Sequence, residues 1–343
     1  MKAIRCREWG APETLRLEEA ESPKLQPHQV RIRVRAAGVN FADTLMVGGR
    51  YQIKPPFPFT PGLEAAGEII EAGAAVANLR AGQRVLAVLR SGGGYAEEIV
   101  LDAAAVVPIP AMMDFVTAAA FPVAYGTSHF ALTHRGHLQA GETLLVLGAA
   151  GGVGLTAVEI GKAMGARVIA AAGGVQKLEV ARSRGADELI DYRTESIRDR
   201  VRALTDGKGA DVVYDPVGGD AFDQALRAVN WEARMLVIGF AGGRIQSVPA
   251  NLILVKNISV IGVVWGAQSE RDPVLISRNL AELLRWWEAG RLEPLVAKVF
   301  PLAEAGAAMN ALLSRQYAGK IVLEQPFARL HQFGPEARIG HGN

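Results

Sequence analysis

The sequence predicts an α/β protein of two domains, a partly open β-barrel and a doubly wound parallel sheet. Two observations carry this. In the first third, Val30-Arg31-Ile32-Arg33-Val34-Arg35 alternates apolar and charged residues strictly, the mark of a strand with one wet face. From Thr143 onward the pattern changes: apolar strand-like runs alternate with helical segments, as in a parallel sheet covered by helices on both faces.

In the first part, Leu15 and Leu17, Ala65 to Glu71, and Arg84 to Leu89 are further extended stretches. Gly48-Gly49, Gly73, Gly92-Gly93-Gly94 and a stiff Pro55-Pro56-Phe57-Pro58 segment separate them. In the second part, strands are expected at Thr143–Leu147, Arg167–Ala172, Glu188–Ile190, Asp211–Asp215, Arg234–Gly239 and Ile258–Val264. The helix after the first of these aligns Val153, Ala157, Ile160 and Met164 on one stripe. A later helix opens at Asp272-Pro273, an N-cap followed by proline, and runs to Glu288 before Gly290. Extended pieces then return, Val296–Phe300 and Lys320–Leu323, around a helical stretch Leu302–Leu313. The chain is therefore expected to rejoin its first domain, giving residues 1–123 with 291–343 as one unit and 124–290 as the other. The polar tail from Pro326 to Asn343 is expected to be loosely held.

Composition narrows the function. The 343 residues are half apolar, with 37 basic against 35 acidic side chains and one cysteine. Cys6 alone excludes an intrachain disulfide framework and a zinc site built from several cysteines. A net charge of +2 makes no electrostatic case for nucleic acid or a membrane surface. No apolar run reaches the ~18 residues of a spanning helix, and Met1 opens into mixed charged sequence, so a cytoplasmic protein is expected.

The strongest local signal is Leu144-Leu145-Val146-Leu147-Gly148-Ala149-Ala150-Gly151-Gly152-Val153-Gly154, a strand entering a glycine turn and leaving as a helix. Gly151 lets backbone approach a pyrophosphate, Gly154 lets the helix pack on the strand, and the helix N-terminus offers N–H groups to phosphate. Ala149 stands where the usual dinucleotide (Rossmann) fingerprint has its first glycine. At the end of the second strand, Ala172-Gly173-Gly174-Val175-Gln176-Lys177 has no acid before Glu179 to bond a ribose 2′-hydroxyl. Gly173 leaves room for a 2′-phosphate and Lys177 supplies a cation, with Arg182, Arg184 and Tyr192 nearby in sequence, which favours NADPH; the plainer alternative makes Lys177 an exposed helix residue.

Five stretches in order carry a wider resemblance: Ala37-Gly38-Val39-Asn40-Phe41-Ala42-Asp43, Pro61-Gly62-Leu63-Glu64-Ala65-Ala66-Gly67, Gly93-Gly94-Tyr95-Ala96-Glu97, Gly148 to Gly154, and Val217-Gly218-Gly219. From Met1 to Leu323 the chain resembles the medium-chain dehydrogenase/reductase superfamily, and within it the zinc-free quinone oxidoreductase (zeta-crystallin-like) branch. The resemblance implies a GroES-like barrel domain beside the Rossmann domain. Where zinc-dependent relatives carry a Cys and a His on catalytic zinc, this sequence has Asn40 and Leu63. The loop of four cysteines is missing too, and His134 and His137 have no further ligand near them, so no metal is expected. Without a Lewis acid, hydride is expected to go to acceptors that spread charge themselves, quinones or α,β-unsaturated carbonyls.

The resemblance also implies roles. Asn40 and Thr127 belong beside the nicotinamide, Ala150, Gly151, Gly152 and Val153 at the pyrophosphate, and Gly173, Lys177 and Tyr192 at the 2′-phosphate. Gly239, Phe240, Val264 and Trp265 line the nicotinamide side, and Lys320 approaches from the returning chain. Tyr51, in the loop expected to cover the cleft, is the best phenolic donor, unless it only packs on Pro55-Pro56. Asn40 otherwise caps a turn, Thr127 a helix, and Asp43 is a helix cap or a proton relay. Members handling small quinones often carry a basic residue in the segment equivalent to Gly262-Val263-Val264-Trp265-Gly266; its apolar character here implies an altered substrate pocket. Two alternatives stay open: an enoyl-thioester-type reductase, or a non-catalytic NADPH-binding structural or regulatory protein, whose RNA-binding version the charge balance disfavours. The apolar strand 258–264 is expected to form a homodimer edge, as in relatives that join these sheets.

Overall fold

The computed structural model describes residues 1–325; the tail from Pro326 lies outside the described residues. An antiparallel ribbon of β1 (Lys2–Arg5) and β2 (Arg16–Glu19) precedes β3 (Gln29–Val39), α1 (Phe41–Val47), β4 (Glu64–Ala72), β5 (Arg84–Val88), β6 (Glu98–Asp102) and β7 (Val106–Pro108). The alternation that predicted β3 is visible in its packing. Val30, Ile32 and Val34 are buried, while Arg31 and Arg35 turn outward to Glu71 (3.1 Å) and Glu68 (2.9 Å). Beyond Ala36 the strand is buried on both faces, which only a run of small residues permits.

Two short helices, α2 (Phe115–Ala119) and α3 (Pro122–His129), lead into the parallel sheet. Its strands and helices alternate as β8 (Thr143–Leu147), α4 (Gly152–Ala163), β9 (Arg167–Ala172), α5 (Val175–Ser183), β10 (Glu188–Asp191), α6 (Ile197–Leu204), β11 (Ala210–Asp215), α7 (Gly219–Leu226), β12 (Val229–Val237), α8 (Ala250–Lys256) and β13 (Ser259–Gly262). The order across the sheet is β10-β9-β8-β11-β12-β13, all parallel, so the topology reverses between β8 and β11. Ligands of doubly wound sheets bind beyond the strand ends at that reversal. The stripe on α4 packs as expected: Ala157 and Ile160 are buried, with Val153 and Met164 at its ends.

Two expected strands shift. Arg234–Gly239 begins instead at Val229 and ends at Val237, since Val237 pairs with Asp215, the last residue of β11. Ile258–Val264 shortens to Ser259–Gly262, matched to the last four residues of β12. Apolar character alone overran both ends, where partner strands stop.

After α9 (Gln268–Arg271) and α10 (Pro273–Glu288), the chain returns as β14 (Val296–Pro301), α11 (Ala305–Leu313) and β15 (Lys320–Glu324). β15 pairs antiparallel with β3, completing a sheet in the order β14-β15-β3-β4-β5-β7, with β6 also on β3. One buried cluster runs through both sheets, from Ala36, Leu86 and Val322 through Phe121 and Tyr125 to Leu144 and Tyr214. The cleft between the sheets therefore has a packed floor.

Candidate functional site

Leaving β8, the chain turns at Gly148, whose φ of +60° suits glycine. Gly151 N–H donates to Gly148 O at 2.9 Å, closing the turn. A Cβ on Gly154 would sit 2.2 Å from that same carbonyl, so only glycine lets α4 start here. Gly151, the N-cap of α4, is exposed, and Gly152 and Val153 form its half-buried first turn, where N–H groups and the helix dipole favour an anion. Ala150 is different: its side chain is buried with Ala172 and Leu178, and its carbonyl accepts Gly319 N–H at 2.9 Å. Its contribution is backbone.

At the end of β9, the Tyr192 ring stands beside Gly173, and the Arg193 guanidinium lies over Gly174. Lys177 Nζ donates to Arg315 O at 2.8 Å, a bond across 138 residues. Burial, then the charges of Arg315 and Arg193, hold the Lys177 ammonium below its usual pKa. Lys177 is thus one of three crowded cations, and the carboxylate of Asp191 bonds Arg193 and Gly174 N–H. A dianion would relieve that crowding. Arg182 and Arg184, near Lys177 in sequence, point elsewhere: Arg182 to Glu179 and Arg184 to Glu159 and Glu293. Arg193 adjoins Tyr192 in the sequence, whereas Arg315 has no local signal at all.

On the barrel side, Asn40 caps α1 in a reciprocal box with Asp43, so the cap reading of Asp43 holds. The Asp43 carboxylate accepts Asn40 N–H at 2.8 Å and the Tyr95 hydroxyl at 3.1 Å; its other oxygen has no hydrogen-bond partner among the described residues. Complete burial raises its pKa to about 7. Asn40 itself sits in a charged node. Lys320 Nζ donates to Val39 O (3.2 Å), Asn40 Oδ1 (2.7 Å) and Glu64 Oε1 (2.7 Å). Glu64 Oε1 also accepts Asn40 Nδ2–H at 2.8 Å, and Oε2 accepts Val123 N–H, in the first turn of α3, at 2.8 Å. Gly38 makes space for this: a Cβ there would lie 2.1 Å from Glu64 Oε1. Lys320 lies beside the glycine turn, with its ammonium turned away. All three ammonium protons are spent within the protein, and it is the aliphatic stem that lies against Gly152. Glu64 was quoted in a motif but not singled out as a site residue.

The remaining candidates lie on several elements. Thr127 is half-buried on α3, one turn beyond Val123. Tyr51 is half-buried at the core edge, and its phenol pKa is raised by burial and by Asp43, with Arg90 opposing. Gly239 and Phe240 follow β12, Phe240 exposed beside Gly218. Val264 and Trp265 behave oppositely. Val264 is 58% exposed, but Trp265 is 3% exposed and packs over Gly126 of α3, its indole N–H unpartnered among the described residues. Trp265 is therefore mainly a wall rather than a lining surface. Arg90, after β5, pairs with Glu270 of α9, joining the two halves of the molecule. Among the described residues no three His, Cys, Asp or Glu side chains gather as a metal site; His134 and His137 are exposed, and Leu63 is buried.

Residues 26–111 match the family described as alcohol dehydrogenase GroES-like domain, and residues 152–279 match zinc-binding dehydrogenase. A quinone oxidoreductase-like protein 2 homolog of Nematostella vectensis is 41% identical over 324 residues, covering 94% of this chain and 88% of the relative. The chain belongs to the quinone oxidoreductase branch of the medium-chain dehydrogenase/reductase superfamily. As a member of this family it is an oxidoreductase. The structure of Escherichia coli quinone oxidoreductase complexed with NADPH superposes with a TM-score of 0.87 at 29% identity, covering 94% of this chain and all of that one. The CurK enoyl reductase does so at 0.86 and 29%, covering 95% and 99%. The quinone oxidoreductase branch thus supplies the frame for Asn40, Glu64 and Lys320 between the two sheets.

Proposed function

We propose that this oxidoreductase uses NADPH to reduce quinones or α,β-unsaturated carbonyl compounds without a metal ion. The observation that carries the proposal is the cation cluster of Lys177, Arg193 and Arg315 at the open end of β9, aligned with the glycine turn. Gly151, Gly152 and Val153 then hold the pyrophosphate on α4, and Gly173, Tyr192, Lys177, Arg193 and Arg315 read the 2′-phosphate. NADPH supplies a hydride when bound. Asn40 and Thr127 border the transfer site, Phe240, Val264 and the Trp265 wall keep water out, and Tyr51 is placed to return a proton. With Asn40 and Leu63 at the positions that hold zinc in related enzymes, charge on the acceptor oxygen is met by hydrogen bonds. The E. coli enzyme bound to NADPH supports the cofactor reading. A cytoplasmic homodimer joined at β13, and residues 124–290 as the inserted domain, belong to the same proposal.

The apolar Val263–Trp265 lip favours a second reading, an enoyl-thioester substrate, to which the likeness to an enoyl reductase lends support. One experiment separates the readings: NADPH and NADH oxidation are followed with quinones, enones and enoyl thioesters, on protein assayed for metal. Turnover with NADPH and a quinone or enone is expected. Turnover with NADH alone refutes the cofactor, stoichiometric zinc refutes the mechanism, and tight NADPH binding without turnover favours a non-catalytic role.

A further inference from the structure

The geometry points to Glu64 as a positioning residue that locks the Asn40 amide into a single orientation, as a hydrogen-bond donor toward the acceptor's oxygen. The argument begins with the chemistry of the two neighbours. An ammonium only donates hydrogen bonds and an ionised carboxylate only accepts them. Lys320 Nζ lies 2.7 Å from Asn40 Oδ1, and Glu64 Oε1 lies 2.8 Å from Asn40 Nδ2. Rotating the amide by half a turn would aim N–H groups at the ammonium and a carbonyl at the carboxylate. The ambiguity that attends most asparagines is therefore removed here by charge. With Oδ1 held by a cation, the side chain's remaining proton is the second N–H of Nδ2, and that is what Asn40 has to offer.

Lys320 holds Oδ1 and Glu64 holds Nδ2, and it is Glu64 that carries the lock on to α3. Glu64 is wholly buried and fixed at three points: Lys320, Asn40 and the first turn of α3 through Val123 N–H. Its second oxygen ties the amide's orientation to α3, the helix that bears Thr127. Nothing places Glu64 in the glycine turn itself. Its effect is therefore expected in transition-state stabilisation, where a donor aimed at developing negative charge counts most, and not in cofactor affinity.

This inference rests on the reductase reading, and its test has readouts that do not need an acceptor. Glu64→Gln keeps the shape but replaces one acceptor oxygen by a donor, so either Asn40 Nδ2–H or Val123 N–H loses its acceptor and the amide is no longer held from both ends. Expected results are a kcat reduced at least about 30-fold, as for loss of an oriented donor, with the NADPH Kd from fluorescence quenching within threefold of the parent. In the NMR spectrum of the NADPH-free protein, one Asn40 side-chain amide proton, assigned by its disappearance in Asn40→Ser, should lie far downfield and move upfield in Glu64→Gln. An unchanged kcat, a Kd weakened as much as kcat, or an unmoved amide resonance overturns the proposal. If Glu64→Gln leaves a lone buried ammonium and does not fold, the paired Glu64→Gln/Lys320→Met variant removes both charges and is judged by the same three readings. A parent protein that binds NADPH but reduces no acceptor would refute the reductase reading, while the amide resonance would still decide the orientation.

Discussion

Lys177 shows what a single residue contributes and what it conceals. Its own segment announces a cation near a glycine pair, and that much was legible. Of the two arginines that crowd it, Arg193 adjoins Tyr192 in the sequence, but Arg315 was not legible, because it arrives from 138 residues away. The same limit hid Glu64: its bonds to Asn40 and Lys320 span 24 and 256 residues, and a glutamate at the head of a strand looks solvated until those partners close over it. Lys177→Ala should raise the KM for NADPH about 10-fold or more while leaving that for NADH near its original value, since a charge-assisted hydrogen bond contributes about 1.5–3 kcal/mol. Arg315→Ala should act in the same direction, and steady-state kinetics with both cofactors checks each. Gly154→Ala pushes a methyl into Gly148 O, 2.2 Å away, and should abolish NADPH binding in calorimetry while also lowering Tm.

At the scale of an element, α4 carries more than its glycine turn. Glu159, on its inner face, accepts the Tyr125 hydroxyl and approaches Arg184 at 3.7 Å; burial nevertheless raises its pKa to about 7. An acid with a raised folded pKa keeps a proton that the unfolded chain has lost, so it favours folding fully at low pH. Its contribution falls away as pH climbs from about 4.3, the unfolded value, to about 7. Glu159→Gln has no such proton to lose. Its stability relative to the parent should therefore improve by on the order of 3 kcal/mol between pH 4 and 8, read from urea denaturation across that range. A flat difference would mean that the carboxyl is ionised throughout. The stripe of Val153, Ala157, Ile160 and Met164 was readable because helix periodicity is local. Glu159, lying next to that stripe, was not, because its burial depends on Tyr125 and Arg184 from other elements.

For the whole molecule, strand alternation and the β–α rhythm specified both sheets, and the extended pieces after Gly290 marked the return of the chain. The limits of β12 and β13 followed pairing rather than hydropathy. The edge strand β13 has its outer hydrogen-bonding side unpaired among the described strands, and α8 beside it exposes Leu254 and Val255. Sedimentation should show a dimer, and Val260→Pro, which removes an outward-facing edge donor, should shift it to monomer with the cofactor site intact. A parent that sediments as a monomer removes the dimer proposal.

Lys320 is the first residue of the last described strand, yet it closes a node whose other members, Asn40 and Glu64, belong to the first fifth of the chain. On the ribosome, the six parallel strands and the glycine turn are all synthesised before Lys320 emerges. The glycine turn thus precedes in the chain the residue that closes the node. Until β15 docks beside β3, Glu64 lacks the ammonium that is its partner in the finished sheet. The ammonium of Lys320 acts as the final fastener, so that closing the node and completing the sheet are one event.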